Sequence, residues 1–152
     1  LVKAYFDFQF FLDNQKIDSL KLPVAEIKED IKRLLSNITG ISAAFNYEEL
    51  NNQILPQKIK ENLQNGYYYN RSGDIKIIME PQYTDYKKMG AEHGSFYNYD
   101  THIPLIFYGW NIKPGKSYKN VFITDLAPTI CAMLKIQMPN SSIGDVLDVV
   151  YQ

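Results

Sequence analysis

Apolar and polar side chains alternate along the first twelve residues of the chain. Every second position from Val2 to Leu12 is apolar, and the positions between them are mostly polar, with Phe11 as the exception. Alternation with a period of two is typical of a strand that buries one face. The pattern therefore predicts one half-buried strand over Val2–Leu12, and the polar run Asp13–Gln15 predicts the turn that ends it.

A helical period follows this turn. Apolar residues recur at a spacing that places them on one helix face, at Val24, Ile27, Ile31, Leu34, Leu35 and Ile38. Charged side chains fill the opposite face. Pro23 suits the first turn of a helix, and Gly40 suits its C-terminal end. The pattern predicts an amphipathic helix between Pro23 and Gly40 whose charged face lies in solvent.

The remaining elements alternate between short apolar runs and helix-permissive stretches. Strands are predicted at Ile41–Phe45, Asp74–Glu80 and Ile103–Tyr108, and helices at Tyr47–Gln53, at Gln57–Asn65 and from an N-cap at Thr124. In the strand Asp74–Glu80, Lys76 is expected opposite the inward-facing Ile75, Ile77 and Met79. This order predicts a mixed α/β fold, a β-sheet with helices packed on it, as a single domain over residues 1–152.

Composition and charge exclude several classes of protein. The chain is 45% hydrophobic and 22% charged, as globular proteins are, and its net charge of −1 attracts neither nucleic acid nor an anionic membrane. No stretch approaches the ~20 apolar residues of a membrane span. The single cysteine, Cys131, excludes an internal disulfide framework and a cysteine-based zinc cluster. The chain begins inside a predicted strand without an initiator Met, so we expect an upstream part of the polypeptide.

Both histidines lie in the stretch Gly90–Gly109, where a polar loop leads into an apolar run. His93 is flanked by glycines, which let the backbone approach a ligand closely. Glu92 and Asp100 offer carboxylates nearby. Zinc prefers imidazole nitrogen and carboxylate oxygen, so His93 is a candidate metal ligand. A single imidazole is more often a hydrogen-bonded structural group, and that alternative stays open.

The chain alone is a poor candidate for a complete catalytic zinc site. Such a site would need both histidines plus a carboxylate, and His102 lies at the head of the apolar run, beside Pro104. Asp100 and His102 are candidates for orienting a metal-bound histidine, although a turn carboxylate and a structural histidine explain them as well. No nucleophile motif or phosphate-binding loop is present, so we predict no catalytic residue. The partners of His93 are expected elsewhere.

Several motifs, in this order, resemble the C-terminal part of the alkaline phosphatase superfamily. The matching stretches are Asn65–Gly66, Arg71–Ile75, Gly90–Ser95, Tyr99–Leu105, Phe107–Gly109, Ile123–Thr129 and Met138–Asn140. The most specific are His-Gly-Ser at 93–95 and Tyr-Asp-Thr-His-Ile-Pro at 99–104. The chain is similar to about the last third of enzymes in the type I phosphodiesterase/nucleotide pyrophosphatase branch and of the monomeric bacterial alkaline phosphatases related to it.

The resemblance implies a large mixed sheet between helices, two zinc ions, and a Thr or Ser nucleophile that forms a covalent phospho-enzyme with a phosphate-ester substrate. The histidine of the family's His-Gly element is a zinc ligand, and His93 occupies that position, whereas His102 does not match a usual ligand. The other ligands and the nucleophile belong to the family's earlier sequence, so the implied partner is an N-terminal catalytic portion of the same polypeptide. The isolated chain is then expected to lack zinc and activity, and the enzyme to be periplasmic or secreted.

A second interpretation is a stand-alone ligand- or protein-binding module with no catalytic activity. It would use the tyrosine-rich loops, since the chain has 12 Tyr, and would treat His93 and His102 as ordinary polar contacts. Tyrosines are also common on protein surfaces and at core edges, which is the simpler explanation for their number. An upstream reading frame that carries a Thr or Ser nucleophile would support the hydrolase, and a native start at this point would support the module.

Overall fold

The structure, a computed structural model, describes residues 1–84, 93–109 and 111–150. The chain divides into two compact units, Leu1–Ile103 and Pro104–Gln152. The first unit contains a four-stranded sheet together with helices, so the predicted mixed α/β class is confirmed. The single domain over residues 1–152 stays a prediction, because two compact units can belong to one domain.

The sheet has the order β1-β2-β4-β3, and every neighbouring pair is antiparallel. Its strands are β1 (Val2–Phe6), β2 (Gln9–Leu12), β3 (Ile41–Phe45) and β4 (Ile75–Met79). β3 and β4 confirm two predicted strands. β4 lies inside the sheet, and Ile75, Ile77 and Ile78 are at most 4% exposed, so this strand is buried on both faces.

The prediction of one strand over Val2–Leu12 is wrong, because the chain reverses at Asp7 and Phe8. Phe6 pairs with Gln9 across a two-residue turn, and both turn residues have positive φ, 51° at Asp7 and 57° at Phe8. Two positive φ angles are the mark of a type I′ hairpin turn, which usually holds Asn or Gly. The side chains of β1 are all exposed, whereas Phe8 is only 9% exposed and packs in the core. Burial of the Phe8 ring therefore accompanies a backbone conformation that its residue type disfavours.

Lys76 lies opposite Ile75 and Ile77, as predicted, but it is buried as well, with 5% of its surface exposed. Its Nζ donates a hydrogen bond to the Asp7 carbonyl at 2.9 Å and lies 5.6 Å from the centre of the Phe8 ring. Burial lowers the pKa of Lys76, and the Asp7 charge only partly opposes that effect. The ammonium group thus stabilises the turn between β1 and β2 through a hydrogen bond to its backbone.

The first unit contains the three predicted helices with shifted ends, and two further helices that the sequence pattern did not predict. They are α1 (Asn14–Ser19), α2 (Val24–Leu35), a 3-10 helix (Tyr47–Asn52), α3 (Gln57–Gly66) and α4 (Asn98–Thr101). α1 replaces the turn predicted at Asp13–Gln15, because the Asp13 carboxylate accepts from the Lys16 N–H and caps a helix. α2 ends at Leu35, before Gly40, and leaves Leu34 66% exposed.

Two clusters of buried apolar side chains hold the first unit together. Their buried members are Phe8, Leu35, Ile75 and Ile77 in one cluster, and Phe45, Leu50, Leu63 and Ile78 in the other. The buried members come from β3, β4, the turn between β1 and β2, α2, α3 and the 3-10 helix. These three helices therefore contact the sheet through their apolar sides.

The second unit is built around α5 (Leu126–Leu134), which follows a 3-10 turn at Ile123–Asp125. The predicted N-cap at Thr124 is wrong. The cap is Asp125, which is 5% exposed and whose carboxylate accepts from the N–H groups of Phe122 and Asp145 at 2.8 and 2.9 Å. Cys131 lies in this helix and is half-buried.

The strand predicted at Ile103–Tyr108 is also absent from the described residues. The segment has no regular secondary structure, and Ile103, Ile106 and Tyr108 are 63%, 79% and 99% exposed. An apolar run forms a strand only where another strand accepts its backbone groups, and no described residue does so here.

Candidate functional site

A His93–Asp100 pair forms the centre of the site. The Asp100 Oδ1 atom lies 2.8 Å from His93 Nδ1. Its Oδ2 atom accepts hydrogen bonds from the backbone N–H groups of Gly94 at 2.8 Å and Ser95 at 2.6 Å. α4 presents Asp100 to this loop, since the helix begins only two residues before it. One carboxylate therefore fixes both the imidazole and the backbone that carries it.

The carboxylate of Asp100 is ionised throughout the neutral range. Its pKa falls to about 2, because the hydrogen bond with His93 and those from Ser95 and Gly94 outweigh the opposing effect of burial. An ionised carboxylate only accepts hydrogen bonds, so in neutral His93 the proton belongs on Nδ1. The lone pair on Nε2 is then available to an incoming group.

Exposure differs sharply between the two partners. The Asp100 side chain is 8% exposed, whereas the His93 side chain is 94% exposed. The anchoring group is thus protected by the protein, and the imidazole it orients projects into solvent. This arrangement suits a side chain that binds something from outside the described part of the chain.

The loop that carries His93 is fixed to the sheet of the first unit. The Tyr97 hydroxyl donates to the Met79 carbonyl at the end of β4, at 2.9 Å. Gly94 has a φ of 126°, and a β-carbon there would lie 3.0 Å from the Phe8 ring. Only glycine combines that conformation with so close an approach. The His-Gly pair in the sequence signals this loop, but the contact with Phe8 has no signal in the sequence.

His102 does not join the pair. It is the C-cap of α4, where its backbone N–H donates to the Asn98 carbonyl at 3.0 Å, and it is exposed. Within the described ranges its imidazole makes no hydrogen bond to His93 or Asp100. A role in orienting a metal-bound histidine stays a prediction for His102, and the geometry gives Asp100 the contact that such a role requires.

The chemistry of the pair fits one position of a metal site. A carboxylate that holds Nδ1–H of a histidine orients Nε2 and raises its basicity, which is the usual support of a metal-bound imidazole. Residues 1–84, 93–109 and 111–150 contain no group of three or more His, Cys, Asp or Glu side chains placed to hold a metal ion. Glu92, a predicted nearby carboxylate, lies outside the described residues.

No helix in the described part of the chain has both the length and the apolar character needed to cross a bilayer.

Comparison with known proteins places most of the chain against one part of longer proteins. It is 38% identical over 146 residues to a Myroides odoratus protein named calcium-transporting ATPase, 34% over 145 residues to alkaline phosphatase PafA of Elizabethkingia meningoseptica, and 37% over 139 residues to alkaline phosphatase PhoV of Synechococcus elongatus. These matches cover 95%, 95% and 91% of the chain. The chain spans only 27%, 27% and 25% of the length of these relatives. No family model matches it.

A solved structure matches nearly the full length of the chain. The crystal structure of wild-type alkaline phosphatase PafA superposes with a TM-score of 0.94 at 33% sequence identity. The match covers 99% of this chain and 29% of that chain. The backbone described above is therefore that of a matching stretch within a much longer phosphatase.

Proposed function

Since the chain has an alkaline phosphatase-like fold and corresponds to part of proteins named alkaline phosphatases, we propose that it is the C-terminal part of a zinc-dependent phosphate-ester hydrolase, of alkaline phosphatase or phosphodiesterase type. In this proposal His93 is one metal ligand, and the N-terminal portion of the same polypeptide supplies the nucleophile and the remaining ligands. An exported location, periplasmic or secreted, belongs to the same proposal.

The observation that supports this function most directly is the His93–Asp100 pair. His93 has a free Nε2 on a side chain that is 94% exposed, and a buried carboxylate 2.8 Å from Nδ1 sets its orientation. A purely structural histidine has no need of an exposed ring. Two further hydrogen bonds, from Gly94 and Ser95, keep Asp100 ionised and therefore keep Nδ1 protonated.

Each residue of the site has a separate task in this proposal. His93 binds through Nε2, Asp100 holds the Nδ1 proton, and Gly94 allows the loop to lie against the hairpin turn. Zinc ions bound with the help of such ligands would stabilise charge on phosphoryl oxygens and lower the pKa of a nucleophile or of water. The sequence contains no nucleophile motif, so the chain alone is proposed to be inactive.

The isolated chain gives the first test. With zinc added, the pure 152-residue chain is expected to hydrolyse p-nitrophenyl phosphate no faster than its His93→Ala variant, and to bind zinc weakly in calorimetry, because one imidazole is too few ligands. Measurable turnover by the chain that disappears in His93→Ala would contradict the proposed inactivity.

A chimaera gives the second and sharper test. In it, this chain replaces the aligned part of the Elizabethkingia meningoseptica alkaline phosphatase. We expect phosphatase activity in the chimaera, a loss of at least about 100-fold with His93→Ala, and a much smaller loss with His102→Ala, the matched histidine variant. Equal losses in both variants would show that His93 has no special role.

The exposed tyrosines favour a second candidate function, the stand-alone binding module. Tyr68 and Tyr69 are 54% and 72% exposed with ring centres 5.5 Å apart, and the Arg71 guanidinium lies 5.9 Å from the Tyr68 ring. Such a surface could stack on a planar or sugar ligand. Substituting both tyrosines by Ala in the chimaera separates the candidates, since the hydrolase is expected to keep its activity.

A further inference from the structure

The segment Pro104–Tyr108, called the open segment below, combines three features that a folded surface rarely combines. It has no regular secondary structure, it is apolar, and it is exposed, with Leu105, Ile106 and Tyr108 at 37%, 79% and 99% of their full accessible surface. A lone exposed Leu or Ile needs no explanation, but a continuous apolar stretch marks a surface that another body covers.

The backbone of the open segment is unpaired in the same way as its side chains. The N–H and C=O groups of Leu105, Ile106, Phe107 and Tyr108 make no backbone hydrogen bond to any other described residue. A run of unpaired N–H and C=O groups can form hydrogen bonds with a further strand. The segment therefore has the chemistry of a strand whose neighbour is missing.

A cleft of about 740 Å³ lies beside the open segment within the second unit. One wall is Leu105, Ile106 and Phe107, and another is the apolar run from Val146 to Val150. The charged residues of the lining are Lys113, Lys116, Lys119 and Asp148, so its cations outnumber its one carboxylate. A cleft of this composition fits an apolar strand with acidic flanks.

The occupant is indicated by the relatives. The chain keeps the conformation of its counterpart with a TM-score of 0.94, yet covers only 29% of that solved phosphatase chain. A segment folded as it is within a longer polypeptide exposes the surface that the remaining residues of that polypeptide would cover. Resting on the proposed function, we infer that the open segment and its cleft dock an apolar β-strand with acidic flanks from the part of the same polypeptide outside these 152 residues.

The isolated chain tests the exposed state of the open segment. Hydrogen exchange measured by NMR on the monomer is expected to be fast at the amides of Leu105, Ile106, Phe107 and Tyr108. Protection of these amides in the monomer would overturn the inference, because they would then be paired within the chain. Protection that grows with concentration alongside a dimer would also overturn it, because the occupant would be a second copy.

The chimaera with the Elizabethkingia enzyme tests the docked state. There the same amides are expected to exchange at least about 100-fold more slowly than in the isolated chain. Ile106→Lys is expected to abolish that protection and the phosphatase activity while leaving the melting temperature of the isolated chain unchanged. Ile54→Lys is the matched control, since Ile54 is 102% exposed and lies in the first unit; it is expected to change neither property.

The outcomes separate this inference from the proposed function. An active chimaera whose amides at 105–108 still exchange fast overturns the inference and leaves the hydrolase intact. An inactive chimaera with protected amides supports the inference and counts against the hydrolase. An insoluble chimaera counts against the inference. The inference states that the open segment is complementary to the remaining part of such a polypeptide, and the chimaera supplies that part.

Discussion

Asp100 decides how well His93 can act, because a single carboxylate binds the imidazole and two backbone N–H groups at 2.6–2.8 Å. An asparagine in its place keeps the size but loses the charge that fixes Nδ1–H as the donor. We expect Asp100→Asn to lower the phosphatase activity of the chimaera by about 10- to 100-fold. Its melting temperature is expected to change little.

The matched control for this prediction is Asp30→Asn. Asp30 also pairs with a cation, Arg33, at 2.7 Å, but on the exposed surface of α2. It should leave activity unchanged. Full activity in Asp100→Asn would show that the imidazole orients itself without the carboxylate.

Single residues also show where prediction from sequence succeeds. The pairing of His93 with a carboxylate could be anticipated from two polar residues seven positions apart on one loop. The turn at Asp7 and Phe8 could not, because Phe is among the residues least suited to a positive φ. Its position depends on the buried Phe8 ring and on Lys76 beneath the turn, and both are contacts over a long sequence distance.

Between elements, α2 and the 3-10 helix Tyr47–Asn52 are joined by Lys32, whose Nζ lies 2.8 and 2.6 Å from the two carboxylate oxygens of Glu49. Burial raises the pKa of Glu49, but its hydrogen bonds and the charge of Lys32 outweigh burial and leave that pKa below its usual value. Burial lowers the pKa of Lys32, and the hydrogen bonds with Glu29 and Glu49 outweigh that effect and raise it. Each partner thus favours the charged form of the other.

These shifts predict the pH dependence of stability. The contribution of Glu49 is complete above its unfolded pKa and is lost as pH falls through the lower folded pKa; that of Lys32 is complete below its unfolded pKa and is lost as pH rises through the higher folded one. We expect Glu49→Gln to lower the free energy of unfolding near pH 7 by about 1 kcal/mol and by less near pH 3. Urea denaturation at both pH values measures this. A deficit that is equal at both, or the same behaviour in Glu48→Gln, would contradict it.

Gly144 lets the last segment of the chain lie against the start of α5. A β-carbon at this position would overlap the Thr124 carbonyl oxygen, which is backbone and cannot rotate away. Gly144→Ala is therefore expected to destabilise the second unit by about 1–3 kcal/mol. Calorimetry should show this loss, and Gly115→Ala, where a β-carbon meets no atom within 4 Å, should not.

The elements that the sequence predicts well are those whose partners are local or nearby. α2, β3 and β4 carry their periods in their own residues, and the structure contains them. The run Ile103–Tyr108 carries the pattern of a buried strand as well, but a strand also needs a neighbour to pair with. The apolar character of this run can be predicted from the sequence, but the run does not indicate which strand would pair with it.

For the whole molecule, the buried apolar core lies on one side of the division at Ile103. Every large apolar residue that is buried, from Phe8 to Ile78, belongs to the first unit among the described residues. The buried residues of the second unit are Asp125, Pro128 and Thr129 in that description. Burial of apolar surface is the main favourable term in folding, so the first unit has the larger source of stability.

We expect a polypeptide of residues 1–103 to fold alone with a melting temperature within about 5 °C of the full chain. Residues 104–152 alone should give the circular dichroism of a largely unfolded peptide. Loss of cooperative melting in residues 1–103 would show that its core depends on the second unit. The comparison shows which of the two units folds without the other.

The contact between Gly94 and Phe8 has a consequence for descent. Position 8 sits in a hairpin near the start of the chain and position 94 in the histidine loop, yet the space available to one is set by the other. Glycine should therefore persist at position 94 across orthologues, because a φ of 126° strains any side chain there even where a smaller residue replaces the ring at position 8.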